Sequence, residues 1–512
     1  MMANVPSIKG PVLDACFNKR FFRCSNNSCC LFMTLVYINT IDMTSKICSK
    51  CFEKDNRIAG LEAQVRGLKA RLAQNSTNSS RPPSSDGLNK RAAIPGSQRR
   101  PSGKKPGGQP GHKGVTLSPV QNPDRIVSHE VTLCDCGEDL SGLKPDRTTT
   151  SQVFDLPPLK IEVIEHRFEV KTCPCCHRTI TAPRPAGLKG LPVEYGPQIK
   201  SLSIYLMAQQ LIPCRRVSEL LHELYGIEVS IGSLTQWSVE AFHGLTDFET
   251  AVKRSLAGAD VVHFDETGMR CSGHLHWLHC ASTATHSFFG IHAERGSQAM
   301  DDFGILTGFL GIALHDYWKP YLKFAQCLHA FCNAHILREL MFLDEELGEP
   351  WARRMRQLLL DIHACVKKTK TAGLKNISRA ADRKFRRDYA KILRAGLRFH
   401  ATHDPVFERG ARGRTKQTKG KNLLDRLHDF QTEVLRFMND FRVPFTNNQG
   451  EQDIRMNKVK QKISGCFRSF EGAQIFCRIR SYLSTAHKQG ANLRDAIRAV
   501  FLGAPLPLSH PP

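Results

Sequence analysis

Two stretches of the chain, ADVVHFD at residues 259–265 and FLGIALHD at residues 309–316, decide the predicted fold. Each is a short apolar run that closes on an aspartate, which is typical of a buried β-strand ending in a carboxylate. A hairpin through residues 275–278 and a strand at residues 287–291 extend the same sheet. Because such strands lie side by side, we expect Asp265 and Asp316 to meet at one edge of an α/β sheet.

Two neighbouring carboxylates supply the oxygen ligands that Mg²⁺ and Mn²⁺ prefer. Two such ions, about 3.5–4 Å apart, hold the attacking and leaving oxygens of an in-line phosphoryl displacement. Charge balance calls for a third carboxylate. Glu451 is the best candidate, because it follows the turn TNNQG at residues 446–450 and opens a predicted helix. Arg455, one helical turn further on, is expected to contact phosphate.

The charge of the whole chain favours a polyanionic partner. The 512 residues are 41% hydrophobic and 23% charged, which is typical of several globular domains. Lys and Arg number 72 against 48 Asp and Glu, a formal net charge of +24. Double-stranded DNA is the first candidate and an anionic membrane surface the second. The longest apolar run, residues 29–41, is too short to span a bilayer, and no membrane partner is expected.

The N-terminal part divides into three segments. Residues 1–45 form an atypical leader, and we hypothesise that translation starts nearer Met43. Residues 46–75 predict a short coiled coil, either a dimerisation zipper that makes the protein a homo-oligomer or a helix packed on its own domain. Its heptad positions are Cys51, Lys54, Ile58, Leu61, Val65, Leu68 and Leu72. Residues 76–115 predict a flexible basic linker, which either is solvated or contacts DNA through Arg99, Arg100, Lys104 and Lys105.

Cysteine usage predicts a structural zinc ion. The 19 cysteines are an odd number spread over a long chain, which favours a reducing cytoplasm and thiolate metal ligands. In a predicted zinc-binding domain, residues 116–190, a short strand at 125–127 precedes the first of two close cysteine pairs, and strands at 152–156 and 161–170 lie between the pairs. The predicted zinc ligands are therefore Cys134, Cys136, Cys173 and Cys176. Cys175 or His177 could replace one of them, and buried free thiols are the alternative.

Residues 191–250 predict a helical region similar to a helix-turn-helix. Residues 215–225 are amphipathic, Gly226 breaks the helix, and Ser230 caps a second helix with Ile231, Leu234 and Trp237 on its inner face. A second helix in this arrangement enters a DNA major groove. Its outward side chains Ser233, Thr235 and Gln236 are then the candidate DNA contacts, and a helical hairpin that only packs is the alternative.

The catalytic domain is predicted over residues 257–485, with a helical insertion at about 330–440 and a tail at 486–512. The insertion begins near Cys332 and His335, whose spacing, with Cys327 and His329 nearby, raises the question of a second zinc site. We favour the interpretation that these residues bind no metal ion.

Taken together, these motifs resemble the insertion-sequence-66 family of DDE transposases. The resemblance spans roughly residues 50 to 490 and rests on GGQPGHKG at 107–114, the paired thiols, HFDET at 263–267, HDY at 315–317, CNAH at 332–335 with Arg338, and NN at 447–448 through Glu451 to Arg455. It implies a multidomain α/β protein with a ribonuclease-H-like catalytic domain, and two small accessory proteins from the same element. The family usually has Arg after the catalytic Glu. This chain has Gln452 and, next to it, Asp453, which leaves the third carboxylate the least certain.

The resemblance thus implies a cytoplasmic, nucleoid-associated DNA transposase that binds terminal inverted repeats and cuts and joins strands with two Mg²⁺ or Mn²⁺ ions. It also implies a structural or DNA-contacting role for Cys332 and His335. A related metal-dependent nuclease or integrase, which acts on other DNA, is one alternative. A catalytically inactive DNA-binding regulator is the other.

Overall fold

The protein is described by a computed structural model that covers residues 116–403 and 417–507 apart from Pro158, with scattered positions between 54 and 114. The chain divides into two units, Met1–Leu68 and Lys69–Pro512. In the first unit, the described positions of the predicted coiled coil are helical, and its apolar side chains Ile58, Leu61, Val65 and Leu68 are about half exposed. The leader and the linker residues Arg99, Arg100, Lys104 and Lys105 lie outside the described residues.

The segment around the paired cysteines contains one two-stranded antiparallel sheet, formed by β1 (Val170–Thr172) and β2 (Thr179–Thr181). The strands predicted at 125–127 and 152–156 are not formed, and of the strand predicted at 161–170 only its last residue belongs to β1. Apolar side chains here are exposed, for example Val153 at 86% and Val163 at 89%. The prediction of strands from the alternating pattern was therefore wrong here, because these residues have no core to pack against.

Four helices follow: α1 (Pro197–Ile204), which continues as a π-helical turn (Tyr205–Gln209), α2 (Cys214–Tyr225), α3 (Ile231–Gly244) and α4 (Thr246–Ala257). The predicted helix pair is confirmed. Gly226 ends α2 with a left-handed φ of 65°, and the Ser230 hydroxyl accepts the backbone N–H of Ser233 at the start of α3. Leu234 and Trp237 are buried as expected, but Ile231 is 52% exposed.

A five-stranded mixed sheet lies at the centre of the catalytic region. Its strands are β3 (Val261–Cys271), β4 (His274–Ser282), β5 (Ser287–His292), β6 (Ile312–His315) and β7 (Leu328–Phe331), in the spatial order β5-β4-β3-β6-β7. The first three are antiparallel, whereas β6 and β7 run parallel to β3. A short helix, α5 (Ser297–Phe303), and the 3₁₀ turn Leu306–Gly308 connect β5 to β6, and a second 3₁₀ turn, Lys319–Lys323, precedes β7.

One strand boundary differs from the prediction, because β3 continues beyond Asp265 to Cys271. The antiparallel partner β4 pairs along the whole of this extension. The parallel partner β6 pairs only with Val261 to His263. Asp265 therefore lies within a strand, but just past the end of its parallel pairing and beside the point where the chain leaves β6 at Asp316.

Helices of the insertion follow β7: α6 (Asn333–Glu345), α7 (Pro350–Thr371), α8 (Arg379–His403), α9 (Lys419–Asp429) and the short α10 (Gln431–Val434) and α11 (Arg436–Asn439). They share a hydrophobic core with the β6–β7 edge of the sheet, around the fully buried Trp351 and Tyr389. The predicted helical insertion is present among the described residues, which exclude the basic stretch at 404–416.

The last three helices are α12 (Asn448–Ser464), α13 (Phe470–Lys488) and α14 (Leu493–Phe501). Helix α12 packs on β3 and β4, and α13 packs on β5. Residues 493–501, which the sequence placed in a tail, form α14, whose Ala496, Ile497 and Val500 join the core built by α1 and α3. Among the residues described, none of the helices is both long and apolar enough to cross a membrane.

The close approach of β3 and β6 depends on Gly311, directly before β6. A Cβ atom there would press on the carbonyl oxygen of Ala259 and lie 2.7 Å from that of Asp260. We expect Gly311→Ala to lower the free energy of unfolding by about 1–3 kcal/mol, because backbone atoms must move apart. Gly308→Ala is the control, since nothing lies within 4 Å of its Cβ position. Urea denaturation of both variants is the measurement, and equal stabilities would contradict the prediction.

Candidate active site

Three carboxylates converge where β3 and β6 separate. Asp265 lies on β3, Asp316 directly follows β6, and Glu451 lies in the first turn of α12. Successive side chains of a strand point to opposite faces, so Asp265 shares a face with Met269 and Cys271, which contact residues of α12 such as Ile454. The pleat of β3 thus turns Asp265 toward the helix that carries Glu451.

The charges of the three carboxylates interact. Burial raises the pKa of Asp265 well above its usual value, and the charges of Glu266, Asp316 and Glu451 raise it further. Burial also raises the pKa of Asp316, although the Trp318 N–H, Arg295 and Arg426 oppose this. The pKa of Glu451 is raised by burial and lowered by Arg338 and Arg455. The carboxylates are therefore costly to ionise together, which favours a bound cation.

Each carboxylate has different partners. Asp316 Oδ1 accepts the backbone N–H of Trp318 at 3.0 Å. Glu451 Oε1 lies 3.6 Å from Nη2 of Arg338 and 3.8 Å from Nδ1 of His335. Among the described residues, the three carboxylates do not form a group with all ligand atoms within 4.8 Å of one another. Two ions about 4 Å apart can share ligands that lie farther apart than the ligands of a single ion.

Asn447 fixes the start of the helix that carries Glu451. It occupies the N-cap position of α12, as the sequence suggested, but its side chain does not cap the helix. Instead its Oδ1 lies 2.8 Å from Nδ1 of His263, and its Nδ2 donates to the carbonyl of Phe264 at 2.8 Å. Both partners are on β3, so this amide ties the first turn of α12 to the strand of Asp265.

A buried network beside Asp265 was not expected from the sequence. Glu266, on the opposite face of β3, accepts hydrogen bonds from Tyr321 at 2.6 Å and from Arg295 at 2.7 Å. The Arg295 guanidinium lies between the rings of Trp277 and Trp318, 4.7 and 4.1 Å from their centres. Burial raises the pKa of Glu266 to about 7. The acidic HFDET motif was the only sequence signal for it.

The carboxylate that competed with Glu451 in the sequence is engaged elsewhere. Asp453 forms an ion pair with Lys488 of α13 at 2.7 Å, and the two side chains are 11% and 9% exposed. Asp453 also accepts a hydrogen bond from Gln449 at 3.0 Å. Glu451, by contrast, interacts electrostatically with Asp265 and Asp316. The geometry favours Glu451 as the third carboxylate.

Comparison with known protein families identifies the family of the chain. Residues 192–475, more than half of the chain, match the model of the transposase IS66 family. The chain belongs to the IS66 family of transposases. A second match covers residues 132–177 and is described as the zinc-finger binding domain of transposase IS66. Residues 46–118 match a family of unknown function, DUF6444. None of the curated proteins compared matches the chain.

The zinc-finger match of this IS66 transposase spans both predicted thiol pairs, and the segment is thus a zinc-binding one. Cys134 begins a tight turn that passes through Gly137, with a φ of 94°. Cys173 begins a similar turn that passes through His177, with a φ of 56°. Within each turn, backbone N–H groups and the neighbouring thiol lower the pKa of one cysteine, Cys136 beside Cys134 and Cys173 beside Cys176.

The two turns do not come together as one four-thiol cluster, within 4.8 Å, among the described residues. The segment has only the short β1–β2 sheet, and its apolar side chains are exposed. The contacts of the chain alone therefore do not hold one turn against the other. Small zinc domains of this kind obtain that connection from the metal itself.

Four of the predicted DNA contacts of the transposase lie among the described residues. Thr235 and Gln236 are exposed on α3, whereas Ser233 is half-buried and its hydroxyl lies 3.0 Å from that of Ser230. Arg455 is exposed on α12 and close enough to Glu451 to lower its pKa. Thr235, Gln236 and Arg455 are accessible to a ligand, and Ser233 is the least accessible of the four.

Proposed function

We propose that the protein is a catalytically active transposase that binds the terminal inverted repeats of its element, cleaves a strand at each end and joins it to target DNA. The observation that supports this most is the approach of Asp265, Asp316 and Glu451 to one another at the carboxyl end of the parallel strands. The sheet, with three antiparallel strands followed by two parallel ones, has the arrangement expected of a ribonuclease-H-like fold.

Two Mg²⁺ or Mn²⁺ ions at these carboxylates would activate water, and then the 3′-hydroxyl, and stabilise the leaving oxygen. The donor set fits hard cations, since it is all oxygen and includes a buried Glu451 Oε1 without a hydrogen-bond partner. Asp265 and Asp316 are the ligands that the sheet fixes. Glu451 is the ligand on a helix, and rotation of its side chain would bring it to them.

The residues around the carboxylates would hold the DNA backbone. Arg455 is exposed next to Glu451 and is free to contact a phosphate near the scissile bond. Arg295 is rigid, because two Trp rings and Glu266 hold it, and its side chain is 37% exposed. A fixed guanidinium at the rim of the site is suited to position a phosphate before the reaction.

Recognition of the ends would fall to other segments. We place Thr235, Gln236 and, less directly, Ser233 of α3 in the major groove, and Arg99, Arg100, Lys104 and Lys105 along the backbone. We further propose a homo-oligomer that joins two ends through the coiled coil, two small accessory proteins from the same element, and action on the nucleoid in the cytoplasm.

A strand-transfer assay with oligonucleotides that carry the element ends tests the proposal. With Mg²⁺ or Mn²⁺, the expected products are a nick at the element end and a covalent joint between that end and target DNA. Cutting without joining would indicate a nuclease instead. Binding of the ends without either product, in any divalent metal, would indicate an inactive regulator.

The zinc ligands are tested separately. We expect Cys173→Ser to hold about one zinc ion per chain less than the wild-type protein, because three thiolates bind the ion much more weakly than four. Metal analysis by mass spectrometry is the measurement, and Cys365→Ser is the control, since Cys365 lies on α7 outside the segment. Full zinc content in Cys173→Ser would exclude this ligand set.

A further inference from the structure

A cluster with mixed ligand types lies next to the three carboxylates. Cys332 is the residue before α6, His335 lies in the first turn of α6, and Glu451 lies in the first turn of α12. One ligand atom of each, a sulfur, a nitrogen and an oxygen, lies within 4.8 Å of the other two. Among the residues that the structure describes, this is the one place where three or more His, Cys, Asp or Glu side chains approach one another so closely.

The backbone holds the starts of the two helices together. The Asn333 N–H donates to the carbonyl of Phe445 at 3.1 Å, and the Asn447 N–H donates to Sγ of Cys332 at 3.1 Å. The His335 N–H donates to the carbonyl of Cys332 at 3.2 Å. The three side chains are thus brought together by fixed elements rather than by mobile loops.

Two of the three ligand atoms lack a hydrogen-bond partner in the structure. Nδ1 of His335 and Oε1 of Glu451 are buried and make no hydrogen bond. Leaving such atoms without a partner is costly, typically about 1–3 kcal/mol each, so a ligand that satisfies both would bind favourably. Arg338 is the competing group, because its guanidinium lies 3.6 Å from Glu451 Oε1. Its side chain is partly exposed and can turn toward solvent.

The ligand types select the kind of cation. Sulfur, imidazole nitrogen and one carboxylate oxygen suit Zn²⁺ or Co²⁺ in a tetrahedral site with one position left for water. Mg²⁺ prefers oxygen ligands and would not select this set. From the sequence, Cys327 and His329 were the further ligands considered, and a structural or DNA-contacting motif was favoured over metal. The structure supplies Glu451 instead.

We propose that Cys332, His335 and Glu451 form a binding site for a thiophilic divalent cation of the Zn²⁺ type, and that its occupation withdraws Glu451 from Asp265 and Asp316. On binding, the Cys332 thiol loses its proton to solvent and becomes a thiolate ligand, with no change of oxidation state. The second part rests on the proposed function, because it takes Glu451 as a catalytic ligand. Zn²⁺ would then inhibit the Mg²⁺-dependent reaction.

Cobalt titration of the full-length protein tests the binding site directly. Co²⁺ bound to a thiolate gives a charge-transfer band in the near ultraviolet. We expect wild type to bind one Co²⁺ more per chain than Cys332→Ser, with the affinity of that ion falling at least about tenfold in the variant. The control is Cys327→Ser, which replaces another buried cysteine outside the cluster. His335→Gln is a second test, and it should weaken the same ion.

The inhibition is measured on joining activity, as the fraction of each protein's own Mg²⁺-supported rate that remains in added Zn²⁺. Wild type and Cys327→Ser should be inhibited at a Zn²⁺ concentration at least about tenfold lower than Cys332→Ser. Equal cobalt spectra and stoichiometry in all four proteins would overturn the site. A cobalt difference without any joining activity in wild type would support the site and reject the proposed function.

Discussion

Asp316→Asn is expected to abolish Mg²⁺-dependent strand joining while binding of element-end DNA is retained. The substitution keeps the size of the side chain and its acceptor for the Trp318 N–H, but removes the charge that holds a cation beside Asp265. Several kcal/mol of transition-state stabilisation depend on that cation, so a loss of at least about a thousandfold in joining rate is expected. Gel-based joining assays and DNA-binding measurements on the same preparation are the test.

A stability measurement separates loss of charge from loss of structure. The pKa of Asp316 is raised in the folded protein, so in the absence of metal its ionisation is unfavourable to folding. The contribution of protonated Asp316 to stability is fully present below the unfolded-state pKa of about 4. It is lost as the pH rises through the higher pKa of Asp316 in the folded protein. Asparagine stays neutral, so without metal the variant should be more stable than wild type at neutral pH, and the difference should shrink as the pH falls.

Asp260→Asn is the matched control. Asp260 directly precedes β3, the parallel neighbour of β6, and its side chain is 74% exposed and paired with Arg442. Its substitution should change neither joining nor metal-free stability by much. If the Asp316→Asn protein joins DNA at the wild-type rate, Asp316 is not a catalytic metal ligand. Loss of joining together with a large loss of stability would point to misfolding.

Local chemistry explains what the sequence could predict. Helix α2 was predicted because its apolar residues recur at helical spacing and Gly226 follows them. The two aspartates were expected at one edge of the sheet, because apolar runs that end in Asp are recognisable without knowing their partners. The end of β3 was missed, since it is set by pairing with β4 and not by residues 266–271 themselves. The strands near the paired cysteines were wrong because alternation predicts a strand only where one face finds a core.

Long-range contacts explain what the sequence could not predict. His335 and Glu451 lie far apart along the chain, and only the meeting of α6 and α12 brings them together. Nothing near Arg295 in the sequence indicates two Trp rings around its guanidinium. The ion pair of Asp453 could likewise not be predicted, because its partner Lys488 is on another helix.

The buried ion pair of Asp453 and Lys488 is expected to contribute strongly to the stability of the protein. Asp453→Asn should lower the free energy of unfolding by about 3–5 kcal/mol, because it leaves the Lys488 ammonium buried without its counter-charge. Lys488→Met should cost a similar amount. The double variant should be more stable than the sum of the single effects predicts. It should remain below wild type, because Lys488 also donates to the carbonyls of Thr283 and His286. Urea denaturation of the four proteins is the measurement.

The exposed pair of Lys384 and Asp388 on α8 serves as the control, since Asp388→Asn should cost less than about 1 kcal/mol. The same variants bear on the active site. If Asp453 is structural, its single variant should lose stability, whereas any folded fraction should still join DNA in Mg²⁺. Glu451→Gln should behave in the opposite way, folding normally and joining nothing. If the Asp453→Asn protein has wild-type stability but cannot join DNA, the third metal ligand is Asp453 and not Glu451.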